Sequence, residues 1–167
     1  MITALDFFGV YCATFEYIER TYGHEALEKY WAEYIADRFL AHLEALVAEK
    51  GIEGMKEYWG HTLAEEEAGY EITATEDSFR IDMHDCPALR WLREHDRMTY
   101  DDYCAHCPAL YKRIMNRNGY SYQYEYDPGA GRCWIEIRAV TPGRPLSNQG
   151  GRVGEPRRHR PQAPGSR

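Results

Sequence analysis

The sequence lacks the features that define several common classes of protein. No apolar run approaches the roughly 20 residues that a membrane-spanning helix needs. The first residues, MITALDFFGVYCATFEY, contain no basic region and become acidic within a few positions, which is atypical of a signal peptide. No glycine-rich phosphate loop follows a strand, and no serine nucleophile elbow is visible. We therefore expect a cytoplasmic protein that makes no membrane contact.

Negative charge exceeds positive charge over most of the chain. The net charge of the 167 residues is −7, but residues 141–167 carry six arginines and one glutamate, about +5. Residues 1–140 are therefore left with about −12, which argues against binding nucleic acid through its phosphates. The last residues are rich in Pro, Gly, Ser and Arg. They predict a disordered basic tail over 141–167, after a single domain over 1–140.

Apolar periodicity predicts helices in two blocks. Residues recurring at three- and four-residue steps predict N-terminal helices over 3–21, 24–50 and 52–68. Pro87 begins a short helix that ends near residue 95. Thr99 is the expected N-cap of a fifth helix, which continues to Asn118.

Alternating apolar and polar residues predict two β-hairpins. In the first, Tyr70, Ile72 and Ala74 face a second strand that contains Phe79, Ile81 and Met83. The second joins YSYQYEY to RCWIEIRA through DPGAG. The predicted fold class is α+β, with N-terminal helices and then two β-hairpins that form an antiparallel sheet with two helices between them.

Four of the five cysteines lie on or beside predicted elements that such a fold can bring together. Cys86 follows a strand, Cys104 and Cys107 form a Cys-x-x-Cys pair, and Cys133 lies on the last strand. Four thiolates, or three and a histidine, suit tetrahedral zinc, and an iron–sulfur cluster takes the same donors. A zinc or iron site on these four residues is one hypothesis. Cys12 lies on the apolar stripe of the first helix and is interpreted as a core residue.

The cysteines also permit other interpretations. An odd number of thiols in a reducing compartment argues against a complete set of disulfides, and a thioredoxin-like redox pair needs a parallel βαβ setting that the pattern lacks. A reactive thiol is a further hypothesis, since strand alternation places Asp82, His84 and Cys86 on one face and a nearby histidine lowers a thiol pKa. His106 is a candidate ligand or base. Reduced cysteines with packing roles only are the remaining alternative.

The segment HTLAEEE contains one histidine and, after three other residues, three consecutive glutamates. His61 and Glu65 are four residues apart and share a helix face. Two such groups are able to hold a metal or pass a proton. A run of glutamates is more typical of a solvated helix surface, and this is the interpretation that we adopt.

Three segments carry a family resemblance. DMHDCPALRWLRE, YCAHC and GRCWIEIR resemble the L-2-amino-thiazoline-4-carboxylic acid hydrolase family, over about residues 3–139. The resemblance implies a small-molecule hydrolase that opens a cyclic C=N ring, an amidine or a thioimidate. The order of elements is also similar to that of small-molecule-binding domains related to vinyl reductases, which implies a ligand cavity between helices and sheet.

A mechanism for such a hydrolase assigns roles to particular residues. Cys86 is the candidate nucleophile or metal ligand, and His84 or His106 moves the proton. The residues proposed to hold a substrate carboxylate are Arg90, Arg132 and Arg138. The alternative function is a non-enzymatic metal- or ligand-binding sensor module. The expected partner is a small-molecule substrate. Association of the chain with copies of itself into a homo-oligomer is a further hypothesis.

Overall fold

The computed structural model describes residues 5–140 and 149–153. The first half of the chain is helical, in the order α1 (Asp6–Tyr22), α2 (His24–Lys29), a π-helical segment (Tyr30–Ala36), α3 (Asp37–Phe39), α4 (Ala41–Lys50) and α5 (Ile52–Glu65). The second half contains β1 (Gly69–Ala74), β2 (Ser78–Asp85), α6 (Pro87–Glu94), a 3-10 turn (Tyr103–Ala105), α7 (His106–Arg117), β3 (Tyr120–Asp127), β4 (Arg132–Ala139) and β5 (Gly150–Arg152).

The second predicted helix is interrupted in the structure. Instead of one helix over 24–50, the chain passes through the π-helical segment and breaks at Leu40, where φ is −98° and ψ is 15°. The buried residues Trp31, Ile35, Leu43 and Val47 still follow the predicted apolar stripe. Periodicity records which face is buried but not the hydrogen-bond register, so it does not reveal a π segment.

The two hairpins join into one sheet with the strand order β1-β2-β4-β3-β5. Register in the first hairpin agrees with the prediction, since Tyr70 pairs with Met83, and Ile72 pairs with Ile81. The hairpins meet where β2 pairs antiparallel with β4, which places Ile81 opposite Ile135. The predicted α+β class is confirmed.

The fifth strand lies within the segment that was predicted to be disordered. Gly150–Arg152 pairs in parallel with β3, and Gly150 lies opposite Tyr124. A Cβ atom on Gly150 would lie 2.2 Å from the Tyr124 carbonyl oxygen, so this close approach needs glycine. The prediction of disorder is therefore wrong for these residues, whereas 141–148 and 154–167 lie outside the described residues. The sequence interpretation missed this strand because its residues, GGR, are rich in glycine, which is typical of disordered segments.

The core lies between the helices and one face of the sheet. Sheet residues Phe79, Ile81 and Ile137 are almost fully buried in one cluster with helical residues such as Trp59 and Ile114. The opposite face of the sheet carries polar pairs, of which Arg80 and Asp82 are one. Within the described ranges, no helix has the length and apolarity that crossing a membrane requires.

The fifth predicted helix begins later than the sequence predicts. Thr99 does not cap a helix. Its hydroxyl contacts the Cys12 thiol at 3.7 Å, and α7 begins at His106 after the 3-10 turn. Pro108 explains the difference, because proline fits the first turn of a helix and would remove a hydrogen bond from a helix that began at Thr99. Cys104 consequently lies in the 3-10 turn and Cys107 in the first turn of α7.

Close packing of α4 against α5 leads to a paired stability prediction. A Cβ at Gly54 would lie 2.3 Å from the Leu46 carbonyl oxygen, whereas a Cβ at Gly60 of the same helix meets nothing within 4 Å. We expect Gly54→Ala to lower the free energy of unfolding by about 1–3 kcal/mol, because the two helices must separate. Gly60→Ala should raise it by about 0.5–1 kcal/mol through helix propensity alone. Urea denaturation measures both, and a stabilising Gly54→Ala would contradict the packing.

Candidate functional site

A cavity of about 270 Å³ lies between the helices and the inner face of the sheet. Most of its lining is apolar or aromatic and comes from α1, the π segment, α5, β2, α6, α7 and β4, with residues such as Phe15, Ile35, Trp59, Ile81, Leu110 and Ile135. This is the position that the similarity to small-molecule-binding domains implies. The volume suits a small organic molecule.

Four cysteines line this cavity, each placed there by a different element. Cys86 is the N-cap of α6, just beyond β2, and its backbone N–H donates to the Gly131 carbonyl at 2.9 Å. Cys104 lies in the 3-10 turn, Cys107 in the first turn of α7, and Cys133 on β4 opposite Met83. The structure thus places all four on the lining of one cavity, and their joint function stays a prediction. Cys12 is buried elsewhere in the core, where its sulfur accepts the Tyr100 N–H at 3.3 Å.

The surroundings keep all four thiols protonated. Desolvation by burial raises the pKa of Cys107 well above its usual value, and the neighbouring thiols Cys104, Cys86 and Cys133 raise it further. Desolvation is also the main cause that raises the pKa of Cys104, and it raises the pKa of Cys133 to about 12. A thiolate at any of these positions would lie in an apolar space beside other sulfur atoms, and both conditions disfavour its negative charge.

Cys86 differs from the other three in the backbone hydrogen bonds that the N-terminus of α6 offers its sulfur. Burial raises its pKa, but the backbone N–H groups of Leu89 and Ala88 oppose the shift. Helix N-termini stabilise thiolates in this way. Among the four thiols, Cys86 is therefore the one whose thiolate receives hydrogen bonds from the backbone.

Positive charge is missing from the lining. Among the described residues that line the cavity, none is lysine or arginine. Arg152 acts weakly on Cys104 by lowering its pKa, but this guanidinium is engaged by Asp102, with Nη1 3.2 Å from Oδ1. On the described part of the lining, the thiols consequently have no lysine or arginine as a partner.

His106 provides a neutral imidazole in the same cavity. Burial lowers the pKa of His106 to about 4, and its Nδ1 lies against the backbone carbonyl of Tyr103. Because a carbonyl only accepts, we assign the ring proton to Nδ1, which leaves the lone pair on Nε2.

The lone pair of His106 faces a thiol. Nε2 lies 3.6 Å from Cys107 Sγ. The result is a thiol next to a base whose orientation is fixed by a third group, the Tyr103 carbonyl. This is the arrangement that activates a cysteine nucleophile.

The four cysteines also form a donor set that suits soft metals, but they do not form a ready ion site. Zinc and iron–sulfur clusters bind thiolates, so the chemical type of the donors fits. Across residues 5–140 and 149–153, however, no three His, Cys, Asp or Glu side chains are grouped so that they could hold a metal ion. Binding by Cys86, Cys104, Cys107 and Cys133 would therefore require their side chains to rotate towards one another.

His84 does not belong to this cavity. It is exposed and lines a neighbouring depression with Asp82 and Arg132, which shares Met83 and Cys133 with the cavity. The predicted sharing of one strand face by His84 and Cys86 is wrong, since β2 ends at Asp85 and Cys86 turns inward as the helix cap. His84 is thus not placed to transfer a proton to the cavity.

The three predicted substrate-binding arginines also lie away from the cavity. Arg90 pairs with Asp85 and donates to the Glu67 carbonyl at 3.1 Å. Arg138 is exposed and bonds Glu136 at 2.8 Å, and Arg132 is exposed at the start of β4. Strand alternation explains the latter two, because they fall on the outer face of the sheet.

Glu66 is a site residue that the sequence interpretation missed. It directly follows α5, lines the cavity and has a pKa raised by burial and by the charge of Glu65. The run of glutamates had suggested a solvated surface. A signal was nevertheless present, since Glu66 follows Leu63 by three residues and Trp59 by seven and so continues the buried stripe.

Comparison of the chain with protein-family models, with curated proteins and with solved structures yields no match.

Proposed function

We propose that the protein is a small-molecule hydrolase in which Cys107 is the nucleophile and His106 is the base. The observation that carries this proposal is the contact of 3.6 Å between Cys107 Sγ and His106 Nε2 in the wall of a small apolar cavity. The resemblance to L-2-amino-thiazoline-4-carboxylic acid hydrolases supports a cyclic amidine or thioimidate as the substrate. The compact cavity supports a substrate of this size.

The first half of the reaction opens the ring. As Sγ of Cys107 bonds to the C=N carbon, its proton passes to Nε2 of His106 and the π electrons move to the ring nitrogen. The C=N bond then re-forms, the bond from that carbon to the ring heteroatom breaks, and the leaving atom takes the proton from Nε2. The product of this half-reaction is joined to Cys107 through a carbon–sulfur bond.

The second half releases the product. Water adds to the same carbon and gives a proton to Nε2, and the electrons of the carbon–sulfur bond return to Cys107, which takes that proton. One water is consumed, one ring bond is hydrolysed, and both residues regain their initial forms. His106 remains neutral between turnovers because burial holds its pKa at about 4.

Substitution of single thiols tests this assignment. Loss of a nucleophile typically costs several orders of magnitude, so we expect Cys107→Ala to lower turnover of 2-amino-2-thiazoline by about 1,000-fold or more. Cys104→Ala is the matched control, since Cys104 lines the same cavity without the imidazole contact, and it should retain most activity. Release of a new product thiol gives the rate. Full loss in Cys86→Ala with activity retained in Cys107→Ala would instead make Cys86 the nucleophile.

A second candidate function is binding of zinc, iron or an iron–sulfur cluster as a sensor module. The specific observation in its favour is that four thiols from four elements line one cavity. Such a site would need the sulfur atoms to lose their protons on binding, which a metal ion strongly favours.

Metal content distinguishes the two candidate functions. Protein purified without oxygen should contain near-stoichiometric zinc or iron if the sensor function holds, and Cys86→Ala, Cys104→Ala, Cys107→Ala and Cys133→Ala should each lower it. Cys12→Ala serves as the control, because Cys12 lies in the core and not in the cavity. Parent protein that contains no metal and takes none up after reduction would contradict the sensor function.

A further inference from the structure

One carboxylate faces the thiols, and nothing in the described protein neutralises it. Glu66 is the only acidic residue among the described residues that line the cavity. Its charge reaches the thiols, because it contributes to raising the pKa of Cys86 and of Cys107 after the larger effect of burial. No ion pair or hydrogen bond involves the Glu66 carboxylate within the described ranges.

The charged side chains near Glu66 in the sequence and the structure bind other partners. The adjacent Glu65 lies on the exposed side, 3.4 Å from His61. On the same side of the fold, the Arg90 guanidinium is held by Asp85 and by the Glu67 carbonyl. A half-buried carboxylate without a cation is costly, and a bound cation removes that cost.

We infer that Glu66 recognises the positively charged N–H groups of the substrate, so the substrate class is a cationic amidine or isothiouronium rather than a carboxylate-bearing amino acid. This inference rests on the proposed hydrolase function. Amidinium groups are planar and offer paired N–H donors that match the two oxygens of a carboxylate. The absence of lysine and arginine from the described lining points the same way, since a substrate carboxylate would find no partner there.

A cation at this position also serves the proposed chemistry. His106 takes the proton that the Cys107 thiol loses during attack, but burial disfavours the charged form of its imidazole. No lysine or arginine of the described lining supplies positive charge to stabilise the developing thiolate. A substrate cation held between Glu66 and the thiols would provide it, because an opposite charge within a few ångströms favours the ionised form. Glu66 therefore acts as a substrate-binding residue that also neutralises charge.

Binding measured without turnover tests the inference separately from hydrolysis. Full-length Cys107→Ala protein is titrated with 2-amino-2-thiazoline, which is cationic at neutral pH, and with L-2-amino-thiazoline-4-carboxylate, and NMR reports each dissociation constant. We expect the carboxylate-free cation to bind more tightly. Glu66→Gln, which keeps the side-chain shape, should weaken binding of the cation by about 10-fold or more.

Glu65→Gln is the matched control, since it removes the same charge from the neighbouring exposed position. It should change affinity for the cation by less than about twofold. Equal affinity in Glu66→Gln and in its parent, or tighter binding of the 4-carboxylate, would overturn the inference. Normal cation binding in a protein that hydrolyses neither compound would instead count against the proposed function alone.

Discussion

Desolvation of the four thiols is the constraint on which the functional account depends. Cys86, Cys104, Cys107 and Cys133 face one apolar cavity, and burial is the largest cause that raises the pKa of each. A thiol in such a place is inert by itself, because both metal binding and nucleophilic attack need the thiolate. Any function of these residues therefore requires something that enters the cavity and compensates the charge.

The thiols are desolvated because the helices of the first half of the chain pack against the sheet of the second half. Helices of the first half cover the inner face of a sheet whose two hairpins meet at the β2–β4 pair. Cys86 and Cys133 come from that sheet side, whereas Cys104, His106 and Cys107 come from the turn and helix above it. The same packing that excludes water from the thiols sets the imidazole beside Cys107 and leaves Glu66 as the sole carboxylate on the described lining.

Periodic patterns predicted the elements of this fold, but not the direction of several side chains. The α+β class and the hairpin register around Ile72 and Ile81 agree with the sequence interpretation. The four cysteines line one cavity, but among the described residues no three of them form a group that could hold a metal ion. His84 was misplaced because strand alternation was extended one residue beyond the end of β2. The contact of His106 with Cys107 depends on the 3-10 turn and on the orientation of the imidazole ring. The spacing of hydrophobic residues predicts neither of these.

We expect the cavity thiols to be protonated and unreactive until a ligand enters. The most direct test is the rate at which uncharged iodoacetamide modifies each cysteine of the free protein, followed by mass spectrometry from about pH 6 to pH 10. The account predicts slow modification of Cys86, Cys104, Cys107 and Cys133 at neutral pH, with rates still rising at the upper end. A rate for Cys107 that reaches its plateau below about pH 8 would contradict it, since the thiolate would then already exist without a ligand.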